Sequence, residues 1–294
     1  MTATDARTSA HDGTGHTSPR PTPGAPGVLR AGLSAIRLEL LAYFRTPDTI
    51  FFTFLFPILM LGIFGVAFDS MGEVGAQPDG SGGISMAAYY LPGMVAAGLL
   101  LTGVQNLAID IAREKGEGWL RRLGGTPLSP VSYFIGKGGM ILVTSILQLA
   151  LLLVFAATVL GVELPSDPAL WLRFAWIYLL GIATMTLLGI ALSAAPRSSR
   201  SATAVVLPIA MLLQFISGVY LQFTMLPEWL QNLASLFPLK WLAQGMRSVF
   251  LPDHFAGAEP SGSWDLWLVA LHLAVWFAAG LTVSILTFRW NRRS

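Results

Sequence analysis

Long apolar runs separated by short polar stretches set the rhythm of this chain. Six of them approach or exceed the roughly 20 residues that a helix needs to cross a hydrocarbon core of about 30 Å. They are Ile50 to Phe68, about Ala88 to Ile109, Gly139 to Val162, about Leu170 to Ala195, Ala202 to Phe223 and about Trp267 to Phe288. A soluble helical bundle would show polar residues at every third or fourth position on its outer faces, and these runs do not. The pattern predicts an all-α integral membrane protein with six transmembrane helices.

Two segments follow a different pattern. Leu29 to Arg45 places Leu29, Leu33, Ile36, Leu40 and Phe44 at spacings of three and four, with Arg30, Ser34, Arg37 and Arg45 off that stripe. This predicts an N-terminal helix lying in the membrane interface, ended at Thr46-Pro47, where proline disfavours helix in the residue before it. Met225 to Phe250 is amphipathic, broken by Pro227 and Pro238, and too polar to cross. It predicts an extracellular re-entrant helical hairpin between spans five and six. Residues 1–27, rich in Pro, Gly, Ser and Thr with no apolar signal region, read as a disordered cytoplasmic tail. Residues 28–294 then form one transmembrane domain.

Composition agrees: 54% of residues are hydrophobic and only 12% charged, against about a quarter charged in soluble domains. The absence of cysteine excludes disulfides, thiolate metal sites and cysteine nucleophiles. A formal net charge of +2 is too small for a nucleic-acid footprint, so the placement of basic residues matters more than their number. With the N-terminus inside, Arg30, Arg37, Arg45, Arg113, Lys115, Arg121, Arg122, Lys137, Arg197, Arg200, Arg289, Arg292 and Arg293 all fall on the cytoplasmic side. The other side keeps Arg173, Lys240 and Arg247 among many carboxylates, so both termini are expected in the cytoplasm. High Ala, Gly, Leu and Arg usage points to a GC-rich bacterial source, and so to a multi-pass protein of the bacterial cell membrane.

Between spans two and three the chain reads REKGEGWLRRLGGTPLSP, from Arg113 to Pro130. Arg113 with Glu117, and Glu117 with Arg121, are four apart and could pair along one helical face. Trp119, Leu120 and Leu123 add an apolar patch. Gly124 suits a left-handed helix stop, and Ser129 with Pro130 suits the cap and first turn of the next helix. Such a rigid element, charged and apolar together, fits a cleft on a soluble partner; an interfacial turn needing no partner is the bland alternative.

At these residues the chain resembles the type-2 ABC exporter permeases, the drug and polysaccharide exporter family. Arg113, Glu114, Lys115, Gly116, Arg122, Leu123, Thr126, Pro127, Leu128 and Ser129 match the family motif after span two, and Gly118-Trp119 departs from it. The likeness extends to the interfacial helix, six spans, the hairpin and the Phe237 to Arg247 stretch. It implies that Arg113, Glu114, Lys115, Gly116, Glu117, Trp119, Leu120, Arg121, Arg122 and Leu123 form a coupling helix that docks on a cytoplasmic ABC ATPase subunit. Two ATPase copies and a second permease copy, identical or paralogous, are implied as partners, together with membrane lipid.

The ATPase is expected on a separate chain, because no G-x-x-x-x-G-K-[ST] occurs: Gly136-Lys137 is followed by Gly138 and preceded five residues earlier by Val131. ATP and magnesium would sit on that partner, leaving this chain without a cofactor, metal or catalytic residue of its own. Neither H-E-x-x-H nor G-x-S-x-G is present. His272 reads as a packing residue in span six. An ion-coupled carrier would need a buried carboxylate or lysine near mid-membrane; none is expected, since Asp69 and Asp110 fall at span ends.

Neutral polar residues do occur within spans, and hydrogen bonding between helices is their ordinary role. Gln148 in span three is one of them. If a pathway is lined, spans two and five supply it, with Gln105, Asn106, Gln214, Ser217 and Tyr220 as candidates. Pro92 and Pro208 would kink those spans. The function expected is export of a hydrophobic or amphiphilic drug, lipid or glycan-lipid. The alternative is a non-transporting assembly or sensor protein that recruits a cytoplasmic partner.

Overall fold

A computed structural model describes residues 28–68, 70, 72–75, 82–124 and 129–287. The N-terminal tail, the Thr126-Pro127-Leu128 part of the motif and the last basic cluster lie outside the described residues. Those described are helical throughout apart from short connections, and their one extended pairing is an antiparallel bridge between Val74 and Ile84.

Helix α1 (Val28–Tyr43) precedes a first long helix formed by α2 (Pro47–Ile50), a π-helical stretch (Phe51–Leu55) and α3 (Phe56–Ala67). The second runs from α4 (Met86–Leu100) through another π-helical stretch (Leu101–Asn106) into α5 (Leu107–Gly116). A turn leads to the short α6 (Trp119–Gly124), and then to α7 (Pro130–Thr158), α8 (Pro168–Leu192) and α9 (Ser199–Ile216). Helices α10 (Glu228–Ala234) and α11 (Pro238–Phe250) precede α12 (Leu266–Thr287).

Five of the long helices, Pro47–Ala67, Met86–Gly116, Pro130–Thr158, Pro168–Leu192 and Leu266–Thr287, are long and apolar enough to cross a membrane. The predicted fifth span is shorter than expected. Instead of running from Ala202 to Phe223, α9 stops at Ile216, and Gly218 takes a positive φ of 75° that ends the helical path. Spans two and three are conversely longer than their apolar runs, because Asp110 to Gly116 and Pro130 to Gly138 continue the helices beyond the greasy core.

The α4–α5 helix is the centre of the bundle, buried along most of its length against α3, α7, α8, α9 and α11. Helices α3 and α12 expose most of theirs. Close crossings depend on glycine, as small residues permit in membrane bundles: a methyl at Gly189 of α8 would lie 2.1 Å from the Gly103 carbonyl oxygen of the central helix.

Helix α1 packs along the start of α7. The expected apolar stripe is divided: Ile36 and Leu40 pack inward, whereas Leu33 and Phe44 are exposed. The reason lies in the partner. The Gly136-Lys137-Gly138-Gly139 stretch brings α1 so near that a methyl at Gly136 would stand 2.8 Å from Ala35 Cβ. The face of α1 with Gly32, Ala35, Ile36, Glu39 and Tyr43 therefore turns to α7.

The hairpin residues fold as two short helices, α10 and α11, with Pro227 and Pro238 at their starts. Helix α11 is buried from Pro238 to Val249 among α4, α8 and α12. Its polar residues find most of their partners inside the bundle: Arg247 Nε donates to Glu259 at 2.6 Å, Arg247 Nη1 donates to the Gly218 carbonyl at 3.1 Å, and Gln244 donates to the Trp264 carbonyl at 2.9 Å, while Arg247 Nη2 and Glu259 Oε2 are buried without a hydrogen-bond partner. His272 is a packing residue, stacked on Trp241 with ring centroids 4.1 Å apart.

Candidate functional site: a cavity with an acidic end

The outer side of the central helix faces a cavity of about 820 Å³, within the range that accommodates drug-sized ligands. The first span lends Phe52, Phe56, Met60 and Phe64; the central helix lends Met94, Leu101, Gln105 and Asn106; α9 lends Leu207, Met211 and Gln214. Tyr220 closes the end near α11, and Glu39, Asp110, Arg113 and Glu114 line the opposite end. From Met94 to Asp110 the cavity follows sixteen residues of helix, on the order of 24 Å at about 1.5 Å each.

Four of the five expected pathway residues line this space. Gln214 accepts a hydrogen bond from the Tyr220 hydroxyl, and Asn106 Nδ2 donates to Thr53 Oγ1 at 2.8 Å. Ser217, the fifth, is not in the lining; it is buried where α9 ends, and its Oγ has no partner.

Both π-helical stretches sit on the cavity wall. A wide turn misaligns backbone groups, and here side chains fill in: Gln148 Nε2 of α7 donates to the Thr53 carbonyl at 2.8 Å, while Thr102 Oγ1 donates to Gln148 Oε1 at 2.8 Å. Thr53, Thr102, Asn106 and Gln148 thus tie the first three spans together where the helices are widest. Gln148 has the ordinary interhelical role expected of it, at about 1 kcal/mol or less per bond.

The acidic end holds the main departure from expectation. Lys137, counted from sequence with loop charges, is fully buried two turns into α7. Its Nζ donates to Glu39 of α1 at 2.8 Å and to Asp110 and Glu114 of the central helix at 2.6 Å each. Tyr133 donates to the second oxygen of Glu114 at 2.6 Å. A buried lysine and helix-borne carboxylates therefore do exist in this chain, at one end rather than mid-membrane. The three carboxylates are close enough to surround a metal ion, and the lysine ammonium takes that central position.

Burial of such a charge is tolerated only with partners, and removing one partner of a buried pair costs about 3–5 kcal/mol. A sequence signal for the cluster exists. Asp110 and Glu114 are four apart on one helix face, a repulsive spacing that invites a cation between them.

Glu114 consequently faces inward rather than outward with the other expected docking residues. Arg113, Lys115, Gly116, Glu117, Trp119 and Arg122 are exposed, and Leu120 is half-buried; the side chains of Arg121 and Leu123 lie outside the described residues. The helix stops earlier than Gly124: α5 ends at Gly116, and Gly118 adopts a φ of 72° before α6 begins. The Glu117 backbone N–H still donates to the Arg113 carbonyl at 2.9 Å, yet Arg113 and Glu117 are not among the ion pairs of the described residues. Ser129 does cap α7, accepting from the Ser132 backbone N–H at 3.1 Å, with Pro130 in the first turn.

A bundle of long apolar helices around a lined cavity, with a short exposed helix at the acidic end, fits a membrane transport permease. Residues 33–251 match the ABC-2 type transporter family, and the chain belongs to it. Among curated proteins it is similar to the "Putative transport permease ycf38" of Cyanophora paradoxa, 25% identical over 78% of this chain and 76% of that one. It is also 29% identical to the protein of the same name from Porphyra purpurea, over 51% of each chain. The "Probable multidrug ABC transporter permease YbhR" of Escherichia coli K12 is 22% identical, over 62% of this chain and 48% of that protein.

Proposed function

We propose that this chain is the transmembrane subunit of an ABC exporter that moves hydrophobic or amphiphilic molecules out of the cytoplasm. The observation that carries this reading is the long, mostly apolar cavity beside the central helix, whose acidic end lies next to the exposed residues from Arg113 to Arg122. In this reading the chain has six spans, with α9 as a short fifth, both termini are cytoplasmic, and α6 is the docking element for a separate ABC ATPase. Two permease copies and two ATPase copies make the working complex. ATP-driven closure of the ATPases would push on α6, and the central helix and α9 would shift between states that differ in substrate affinity. Family membership and the likeness to a named multidrug permease support this reading.

Inside-out vesicles containing the chain and its ATPase test it. Uptake of a fluorescent amphiphile should require hydrolysable ATP and stop with a non-hydrolysable analogue. Equal uptake under both conditions overturns the proposal.

A further inference from the structure

The cavity is asymmetric in charge as well as shape. Glu39, Asp48, Asp110 and Glu114 line it, and among the described residues Arg113 is the single basic group in the lining. Behind the wall, Lys137 supplies one more positive charge. Four carboxylates against two cations leave two negative charges in excess. Glu114 is anchored at both oxygens, accepting from Lys137 at one and from Tyr133 at the other. The excess is accessible: the Asp110 side chain is 47% exposed even with Lys137 beside it.

The remaining wall is built for an apolar body. Phe52, Phe56, Phe64 and Phe215 present aromatic surface, with Met60 and Met211 between them. Aromatic faces attract cations and thioethers adapt to varied shapes. An anion would meet the excess carboxylates, and a neutral hydrocarbon would leave them unanswered.

We propose that this cavity takes lipophilic organic cations, seating the positive charge against Asp110 and Glu39 and the apolar body against Phe52, Phe56, Met60 and Phe64. The inference deepens the transport reading by naming a substrate class for the same cavity, and rests on it for transport though not for binding.

Binding to the full-length chain in detergent is the test, with tetraphenylphosphonium and tetraphenylborate as ions of matched shape and opposite charge, and triphenylphosphine oxide as a neutral probe. After subtraction of protein-free micelles, the phosphonium ion should bind saturably and at least about tenfold more tightly than the borate. Asp110→Asn should weaken phosphonium binding about tenfold, the scale of one charge contact in a partly solvated site, while binding of the neutral probe stays unchanged. Asp48→Asn, outside the lysine cluster, should weaken it in the same direction and serves where Asp110→Asn does not fold. Equal or tighter binding of the borate overturns the proposal. So does an unchanged ion preference in the folded variants, or no saturable binding of any probe, as when lipid or a second copy fills the cavity. Charge-selective binding without ATP-driven uptake would remove the transport reading alone, and ATP-driven uptake without charge preference would remove this inference alone.

Discussion

Two buried lysines show how residue surroundings decide what a charge does. Lys137 meets three carboxylates and is neutralised in place. Lys240, in the non-spanning α11, meets aromatic faces instead: its Nζ lies 3.8 Å from the Trp241 ring centroid and 5.2 Å from that of Phe223, with Gln244 accepting a hydrogen bond. Burial lowers the Lys240 pKa to about 8, against opposing contributions from Glu259 and Asp265 and with a further lowering by Arg247. The unfolded chain holds this proton up to about 10.4, so between these values it binds more protons than the folded chain, and stability rises with pH. The thermal midpoint of the purified protein, relative to Lys240→Met, should therefore climb from pH 8 to pH 10; a constant difference across that range excludes this account. Neither lysine's burial was legible in the chain. Both sit beside small or amphipathic residues that read equally well as loop or surface, and burial was settled by which helix came to lie against them.

At the scale of elements, local chemistry was readable and close approach was not. The Ser129-Pro130 start of α7, the proline starts of the two hairpin helices and the stop after α1 all follow from signals within a few residues. The early end of α9 and the break at Gly118 turn on which glycine adopts a positive φ, a choice made by tertiary packing or by the loop. The crossing of α8 with the central helix is more demanding still. A methyl at Gly189 would meet backbone atoms, the Gly103 carbonyl oxygen at 2.1 Å and Val104 Cα at 3.1 Å, so the helices themselves must part. Gly189→Ala should destabilise the protein by about 3 kcal/mol or more, the upper range for overpacking. Gly138→Ala, which meets nothing within 4 Å, should be neutral or gain up to about 1 kcal/mol of helix propensity. Thermal unfolding followed by size-exclusion chromatography compares the two, and equal stability would remove the steric explanation.

For the whole molecule, apolar run lengths foretold an all-helical membrane protein, because crossing a bilayer imposes a length that composition records directly. The site was only half legible. Gln105, Asn106, Gln214 and Tyr220 stood out as polar residues in apolar runs, while Glu39 and Lys137 were hidden among ordinary interfacial charges. Their meeting required α1 to pack on α7, 98 residues apart in sequence. This division between inward and outward charges predicts how the proposed ATPase contact responds to substitution. Trp119, 49% exposed, should act as an anchor, and Trp119→Ala should weaken ATPase association about thirtyfold, the effect of losing roughly 2 kcal/mol. Glu114→Gln should leave that association near the wild-type value, because its carboxylate faces the lysine. Titrated co-purification measures both, and the reverse ranking would place the docking surface elsewhere.

The two π-helical stretches on the cavity wall have a further consequence for register. A π turn holds one residue more than an α turn closing the same loop, so Leu101–Asn106 acts as a phase shift in the central helix. Each α-helical residue advances the side chains by about 100°. Asp110 and Glu114, downstream of the stretch, therefore point at Lys137 only because that extra residue has been absorbed. Without it, the same two carboxylates would be carried about a quarter of a turn around the helix, away from the lysine and from the end of the cavity that they make acidic.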